Sequence, residues 1–397
     1  MRSKKILFLG GAYSQIPIIK EAKSRGWYVI TCDFLPENPG HKLADEYYNL
    51  STTDFEGVLN LAKKLKVDYV VAYASDPSAP VAAYVSEQLG LPGNSYQSIR
   101  ILAEKDLFRK FQTENGFNCP KTVTLLAEDV AVEKIRSLQF PFIVKPTDSS
   151  GSKGVSRIDN LTQLEKAVEV ALCFSRKKQV IAEEFIDNEI ADIHGDGFIK
   201  NGELVFSCLG DHIYNNQTNP YNPIGTLWPT IHSDEVVQAI NGDVARIIKK
   251  SGFLNGAINI EARVNSKGQL FIMEIGPRNG GHFVPQAIKY ATGFDMVKAL
   301  LDVLIEGEIK VTVNSNKYSA YYAVHSDEEG TLNKLLIKDE LKPYIKGFHQ
   351  YIQPGGKVNS FQGANAAIGI ILLQFDKREV MDFYVSNMKN YIDLKIK

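Results

Sequence analysis

The sequence contains few cysteines. There are four, Cys32, Cys119, Cys173 and Cys208, among 397 residues, and no two of them lie close together in the chain. Zinc sites and disulfide frameworks require cysteines at characteristic short or paired spacings, so neither is indicated. We expect these residues to be buried, reduced thiols.

An excess of charge of either sign is also missing. The 45 basic and 46 acidic residues leave a net charge of -1, which argues against binding to nucleic acid or a membrane surface through bulk electrostatics. The sequence has no stretch of about 18 apolar residues, the length that a membrane-spanning helix needs. The apolar run after Lys4 and Lys5 is shorter than a secretion signal needs. We therefore expect a cytoplasmic protein with neither nucleic acid nor membrane as a partner.

The chain is too long for one compact core, which predicts two or three domains. Over residues 4–95, apolar strand patterns alternate with helical ones, which predicts βαβ units and a parallel sheet. A helix is predicted over 95–116, followed by strands and helices to about residue 186. Asn201-Gly202 between two apolar runs predicts a tight hairpin, and the polar stretch 215–229 suggests a loop over a substrate.

Two glycine clusters are candidates for phosphate binding. Gly10 and Gly11 lack the third glycine of a dinucleotide-binding motif, so an NAD site is weakly supported and a structural turn is favoured. The run Phe140 to Val155 is better suited to phosphates, because a strand ending in Lys145 leads into a segment rich in glycine, serine and lysine. Its members are Ser149, Ser150, Gly151, Ser152, Lys153 and Gly154. A solvated hairpin loop is the alternative.

Two further patterns contain acidic residues within strands. The segment VIAEEFI offers Glu183 or Glu184 as an acceptor for the amino group of an adenine. In GAINIEARVNSKGQLFIMEIGP, a two-residue turn at Lys267-Gly268 would pair residues whose numbers sum to 535, and 261 + 274 is also 535. Glu261 and Glu274 would then face each other with their Cβ atoms about 5 Å apart, a spacing that suits one or two Mg²⁺ ions. A glycine bulge would make the pair diagonal, and a solvent-facing pair of glutamates is the alternative.

In their order along the chain, these clusters resemble the ATP-grasp superfamily, which includes biotin carboxylase, D-alanine:D-alanine ligase and the L-amino-acid ligases. The resemblance implies an α/β fold with a Rossmann-like domain preceding the ATP-grasp domain (1–95), a two-lobed α+β ATP-grasp domain (96–308) and a small C-terminal α+β domain (309–397). The nucleotide lobe would cover about 117–190, and the lobe for metal and substrate about 191–308.

The resemblance also implies roles for single residues. Lys105 and Lys145 match the lysines that contact phosphate, and 149–154 matches the mobile loop that covers the phosphates. Glu183, Phe185 and Ile186 match the adenine-binding hinge, with Glu184 beside them, and Asp192 or Glu189 matches the ribose-binding acid. Glu261 and Glu274 match the metal ligands, and Arg278 matches the arginine that anchors the transferred phosphate. Many members read Glu-x-Asn-Pro-Arg here, whereas this chain has Gly276 in place of the asparagine. One metal contact would then be lost, supplied by water or taken over by Asn279.

The activity that the resemblance implies is ATP-dependent ligation of a carboxylate to an amine through an acyl phosphate, with ATP and Mg²⁺ (or Mn²⁺) as cofactors. Candidate substrate contacts are Asn279, His282, Asp211 and His212. The alternatives are a kinase with the same fold and a non-catalytic nucleotide-binding regulator. Related carboxylases suggest a homodimer, and the expected partners are otherwise small carboxylates and amines.

Overall fold

The structure is a computed structural model that describes residues 3–129, 131–188, 190–215, 219–305, 307 and 309–397. Its strands are Lys5–Leu9 (β1), Tyr28–Asp33 (β2), Glu46–Asn49 (β3), Tyr69–Val71 (β4), Thr122–Leu126 (β5), Phe142–Pro146 (β6), Ser156–Ile158 (β7), Gln179–Glu184 (β8), Ile193–Lys200 (β9), Glu203–Tyr214 (β10), Pro223–Trp228 (β11), Gly256–Val264 (β12), Leu270–Gly276 (β13), Tyr318–Val324 (β14), Gly330–Ile337 (β15), Ile345–Gln350 (β16), Lys357–Val358 (β17), Gly369–Phe375 (β18) and Ile392–Ile396 (β19).

The α-helices alternate with the strands mainly in the first half of the chain. They are Ile16–Ser24 (α1), Phe55–Leu65 (α2), Ala79–Leu89 (α3), Tyr96–Ala103 (α4), Lys105–Glu114 (α5), Ala131–Lys134 (α6), Leu164–Phe174 (α7), Asp234–Ser251 (α8), Val284–Thr292 (α9), Met296–Ile305 (α10) and Arg378–Ser386 (α11). In the described part of the chain, no helix combines the length and apolarity needed to cross a membrane.

The N-terminal part is a four-stranded parallel sheet with the order β3-β2-β1-β4. The predicted βαβ pattern is therefore confirmed. Strand β3 was not predicted, because its sequence EYYN is short and begins with an acid. Gly11 at the end of β1 lies under the ring of His41, and a Cβ there would be only 2.2 Å from Cε1 of the imidazole. Packing thus gives Gly11 a structural role at this turn.

The single helix predicted over 95–116 is two helices, α4 and α5. Glu104 separates them with an extended backbone (φ -97°, ψ 118°) and accepts hydrogen bonds from Arg100. This break sets the direction of α5, whose first residue is Lys105. The periodicity of the apolar residues continues across Glu104, so the sequence pattern did not reveal the break.

Two antiparallel sheets follow. Strands β5-β8-β6-β7 form a small sheet, in which the glycine-rich segment connects neighbouring strands β6 and β7. The larger sheet has eight strands in the order β13-β12-β9-β10-β11-β14-β18-β16. Its last three strands come from the predicted C-terminal domain, and the first of them, β14, hydrogen-bonds directly to β11. The large sheet thus crosses residue 308, and the division into domains stays a prediction.

The four cysteines are free, as expected, but they do not share one environment. Cys32 and Cys208 are buried, Cys119 is partly buried and Cys173 is exposed. The expectation of buried thiols is therefore wrong for Cys173, which lies near the end of α7.

The predicted hairpin at Asn201-Gly202 is confirmed: β9 and β10 pair up to Lys200 and Glu203, and both turn residues have positive φ (51° and 79°). Replacing Gly202 by alanine is expected to lower the free energy of unfolding by about 1 kcal/mol, because an L-residue is strained at this φ. The nearest atoms to the added Cβ are 3.9 Å away, so steric overlap contributes little. Urea denaturation would measure the change.

Gly242 provides the control for this substitution. It lies inside α8, and a Cβ there would meet no atom within 4 Å. Gly242→Ala should therefore raise the free energy of unfolding by about 0.5–1 kcal/mol. Equal stability of the Gly202→Ala variant and the unmodified protein would contradict the account of this turn.

Candidate functional site

The hairpin of β12 and β13 places two carboxylates face to face. Glu261 and Glu274 are direct partners across the ladder, so the predicted pairing is confirmed. The predicted two-residue turn is wrong: pairing ends at Val264 and Leu270, which leaves a five-residue turn in which the Asn265 side chain accepts hydrogen bonds from two backbone N–H groups. An extra residue in β13, Met273, shifts the register back and restores the pairing of the two acids.

Lys105 connects this acid pair with the glycine-rich segment. Its Nζ lies 3.1 Å from Oε2 of Glu274 and donates to the backbone oxygen of Ser149 at 3.0 Å. Burial alone would lower the pKa of Lys105, but Glu274, Asp76 and Glu261 raise it above its usual value. The lysine is therefore charged and is held between two predicted phosphate-site elements.

The acid pair has the chemistry of a magnesium site. Burial, together with the facing Glu274, raises the pKa of Glu261 to about 7. A cation between the two carboxylates would offset their repulsion and favour the charged form of both. No group of three His, Cys, Asp or Glu side chains suited to a metal was found among the described residues. Two carboxylates fit Mg²⁺, which commonly takes one or two protein carboxylates together with substrate phosphates and water.

Arg278 lies beside the acid pair, in an ion pair that the sequence did not suggest. Its Nε and Nη2 donate to the two carboxylate oxygens of Asp76, each at 2.6 Å. Asp76 follows β4 in the N-terminal sheet. Burial alone would raise the pKa of Asp76, but Arg278, Lys105 and the Ser150 hydroxyl lower it. The signal that could have revealed Asp76 is its place after the carboxyl end of a parallel strand, where ligand-binding residues collect.

Lys145 is part of a second buried charge cluster. Its Nζ donates to Glu183, whose other oxygen accepts from Nε of Arg109 at 3.1 Å. Glu183 and Arg109 have only 2% of their side chains exposed. Burial would raise the pKa of Glu183, but Arg109 and Lys145 lower it to about 2. The carboxylate is thus occupied by two cations, which does not favour the predicted contact with adenine through this side chain.

Arg109 was not predicted, although a signal for it exists. It lies four residues after Lys105 in α5, and residues four apart share one face of a helix. One face of α5 therefore presents both cations, Lys105 in contact with Glu274 and Arg109 in contact with Glu183.

The other hinge residues follow directly after β8. Glu184 is exposed, and its backbone N–H donates to the oxygen of Lys121 at 2.9 Å. The ring of Phe185 lies 4.6 Å from the guanidinium carbon of Arg157. The backbone oxygen of Ile186 accepts from Nη1 of Arg263 at 2.8 Å.

Asp192 is engaged by several donors. Arg263 donates to both of its oxygens at 2.6 and 2.7 Å, and the Tyr214 hydroxyl and the Asn188 amide donate at 2.8 and 2.7 Å. The alternative ribose acid, Glu189, lies outside the described residues. The ribose role of either acid stays a prediction, and ribose binding by Asp192 would have to coexist with these four hydrogen bonds.

The glycine-rich segment is bent tightly. Gly151, Ser152 and Gly154 have φ values of 68°, 56° and 71°. The Ser152 hydroxyl donates to the backbone oxygen of Tyr221 at 2.6 Å, and Lys153 lies close to Gly363. The segment therefore contacts both the polar stretch after β10 and a loop from the C-terminal part of the chain.

Three of the four predicted substrate residues lie near the acid pair or Arg278. The His212 ring stacks on His194, the direct partner of Glu261 across β9 and β12, with 4.2 Å between centroids. His282 stacks on Tyr321 at 5.5 Å. Burial lowers the pKa of both His212 and His282 to about 4, so both rings are neutral at pH 7. The backbone oxygen of Asn279 accepts from Arg278 at 3.1 Å, and its side chain is fully buried beside Asp196.

Asp211 precedes His212 in β10, and its substrate role stays a prediction. Neighbouring residues in a strand point to opposite faces of the sheet. The carboxylate of Asp211 accepts from the Thr230 hydroxyl at 2.5 Å, from the backbone N–H of Ile231 at 2.8 Å and from Arg378 at 3.4 Å. Its contacts are those of a structural acid on the face opposite His212.

Comparisons with known proteins identify the same fold. Residues 138–286 match the ATP-grasp domain family. The chain is 22% identical over 326 residues to the C-terminal section of the carbamoyl phosphate synthase large chain of Aquifex aeolicus (strain VF5), a match that spans 77% of this chain and 60% of that relative. The chain thus spans less than two thirds of this curated relative.

Solved structures resemble the chain over its whole length. The L-amino acid ligase from Bacillus licheniformis has a TM-score of 0.83 at 20% identity, with all of both chains covered. The biotin carboxylase domain of the Hydrogenobacter thermophilus 2-oxoglutarate carboxylase, solved with MgADP, ADP and bicarbonate, has a TM-score of 0.79 at 16% identity, covering 100% of this chain and 92% of that one. The chain therefore contains an ATP-grasp domain over residues 138–286, and its fold over the whole length is similar to the folds of this ligase and this biotin carboxylase domain.

Proposed function

We propose that this protein is an ATP-dependent carboxylate–amine ligase. The observation that carries the proposal is the position of Glu261 opposite Glu274, with Lys105 on the second acid. Together with Arg278 and Lys145, these residues offer two carboxylates to a divalent cation and three positive side chains to a triphosphate. The likeness in fold to an L-amino acid ligase supports this reaction class.

In the proposed reaction, a carboxylate oxygen of the substrate attacks the γ-phosphorus of ATP, and the bond from that phosphorus to the leaving oxygen of ADP breaks. The nitrogen of an amine then attacks the acyl phosphate, the C–O bond to phosphate breaks, and the amine loses a proton. The products are an amide, ADP and phosphate. The protein contributes positioning and charge stabilisation, and no nucleophilic side chain is needed.

Each part of the site has a role in this reaction. Lys105, Lys145 and the amides of Ser150 to Gly154 would stabilise charge on the phosphoryl oxygens, and Arg278 would hold the transferred group in line. Glu261 and Glu274 would hold Mg²⁺ or Mn²⁺, which supplies neutralisation of phosphate charge when bound. Glu183 would fix the position of Lys145 rather than contact adenine, because Arg109 and Lys145 both bind its carboxylate.

The nucleotide base would lie at the hinge formed by Glu184, Phe185 and Ile186, and the ribose near Asp192. His212, His282 and Asn279 are the proposed substrate contacts. The two imidazoles are uncharged at neutral pH, so each can accept a hydrogen bond from an N–H or O–H group of a substrate. Amino acids, which carry both a carboxylate and an amine, are the substrate class to test first.

The proposal is tested by measuring ADP and phosphate with MgATP and a panel of amino acids, singly and in pairs. A ligase releases both products in equal amounts and forms one amide per ATP consumed. ADP formation with a phosphorylated acceptor and no free phosphate would instead identify a kinase. Nucleotide binding without turnover across the panel would favour the non-catalytic regulator and count against the ligase.

A further inference from the structure

Asp76, which follows β4 of the N-terminal sheet, lies against the proposed phosphate site. It is held in a fork by Arg278, with both N···O distances at 2.6 Å. The side chains of Asp76 and Arg278 are 19% and 11% exposed, respectively. Two parallel hydrogen bonds of this kind fix both the position and the plane of a guanidinium group.

The fork leaves part of Arg278 available for a ligand. An arginine has five N–H groups. In Arg278, Nε and one N–H of Nη2 bind Asp76, and one N–H of Nη1 binds the backbone oxygen of Asn279 at 3.1 Å. Two N–H groups, one on each Nη, are not used by these three bonds. Because the other three are fixed, the direction of these two is fixed as well.

Gly276 provides the space in which this arrangement forms. A Cβ at this position would lie 3.0 Å from Oδ1 of Asp76 and 3.2 Å from Cζ of Arg278. The φ angle of Gly276 is outside the left-handed region, so alanine is compatible with the backbone and would act through contact alone. The added Cβ would press on both members of the ion pair, so the side chains of Asp76 and Arg278 would have to move.

We infer that Asp76 is the positioning residue for Arg278, and that Gly276 is the residue that makes room for it. This inference rests on the proposed function, in which Arg278 binds the transferred phosphate. The N-terminal sheet would thereby set the direction of the arginine that meets the terminal phosphate of ATP. Lys105 lies close to the same carboxylate, so Asp76 helps to hold the two cations in one arrangement.

The inference predicts a selective effect on the terminal phosphate. In Asp76→Ala and in Gly276→Ala, affinity for the MgATP analogue AMP-PNP should fall about tenfold, the size expected when one charge-assisted contact is lost. Affinity for MgADP, which lacks the third phosphate, should stay within about twofold. Asp76→Asn, which retains one acceptor oxygen, should recover part of the loss. Titration calorimetry with each nucleotide measures these values, and Gly242→Ala is the control for a glycine substitution away from the site.

A double-mutant cycle separates this role from a general structural one. If Gly276→Ala acts by moving Asp76, adding it to Asp76→Ala should change AMP-PNP affinity by less than about twofold, because coupled residues give non-additive effects. Additive losses, or equal losses for ADP and AMP-PNP, would overturn the inference and leave the proposed function standing. An unmodified protein that binds neither nucleotide would overturn both.

Discussion

Replacing Glu274 by glutamine is expected to reduce MgATP-dependent phosphate release at least about a hundredfold. Glutamine has nearly the same size but no charge, so it would weaken the hold of the pair on a divalent cation and remove the counter-ion of Lys105. The hinge after β8 is untouched, so affinity for adenosine should change little. Phosphate release and adenosine binding, measured on the same preparation, would establish both effects.

Glu203→Gln is the control for this prediction. Glu203 is an exposed acid at the start of β10, and its replacement removes the same charge away from the site. Normal turnover in the Glu274→Gln variant would show that the carboxylate pair is not the metal site. A simultaneous loss of adenosine affinity would indicate a broader structural change.

Replacing Glu183 by glutamine should have the largest effect on stability. Glu183 is the only acid that bonds to both Arg109 and Lys145 in the hydrogen bonds of the described residues. Its loss would leave two buried cations without a counter-charge, and removing one partner of a buried ion pair commonly costs about 3–5 kcal/mol. Urea denaturation at pH 7 should therefore show a large fall in the free energy of unfolding.

The adjacent acid provides the control. Glu184 is exposed, and its carboxylate accepts from the backbone N–H of Lys121 at 3.2 Å, a bond that a glutamine oxygen can also accept. Glu184→Gln should therefore change the free energy of unfolding by less than about 0.5 kcal/mol. Similar stability of the Glu183→Gln and Glu184→Gln variants would contradict the account of this cluster.

The same interaction has a defined pH dependence. The pKa of Glu183 is about 2 in the folded protein, below the value of about 4.3 for an unfolded glutamate. A group with a lowered folded pKa stabilises the protein above its unfolded pKa and loses that contribution as the pH falls toward the folded value. The difference in stability between the unmodified protein and Glu183→Gln should therefore shrink between about pH 4 and pH 2.

Local patterns in the sequence were sufficient for much of the fold. Apolar runs predicted β1, β2 and β4, and Asn201-Gly202 fixed the register of β9 and β10. The facing acids were also predicted correctly, although by an incorrect turn. A bulge in β13 offset the longer turn at 265–269. Neither change leaves a clear mark in the residue pattern, and the longer turn is held by hydrogen bonds from the backbone to the Asn265 side chain.

The parts of the site that were not predicted come from contacts between distant segments. Asp76 and Arg278 are 202 positions apart, and Arg109 and Glu183 are 74 apart. The sequence pattern suggested that Glu183 was available to adenine, and the family resemblance implied that Asp192 was available to ribose. The structure gives each of them cationic partners, Lys145 and Arg109 for the first and Arg263 for the second. Such pairings depend on how the sheets are packed, which the sequence pattern does not specify.

In the proposed reaction, a substrate carboxylate is activated by transfer of a phosphoryl group from ATP. The most direct measurement uses a carboxylate that supports turnover, labelled with ¹⁸O in both oxygens, followed by mass spectrometry of the released phosphate. An acyl phosphate carries one carboxylate oxygen to phosphorus, so the account predicts one ¹⁸O atom in each phosphate released. Phosphate without label, formed together with the amide, would contradict it.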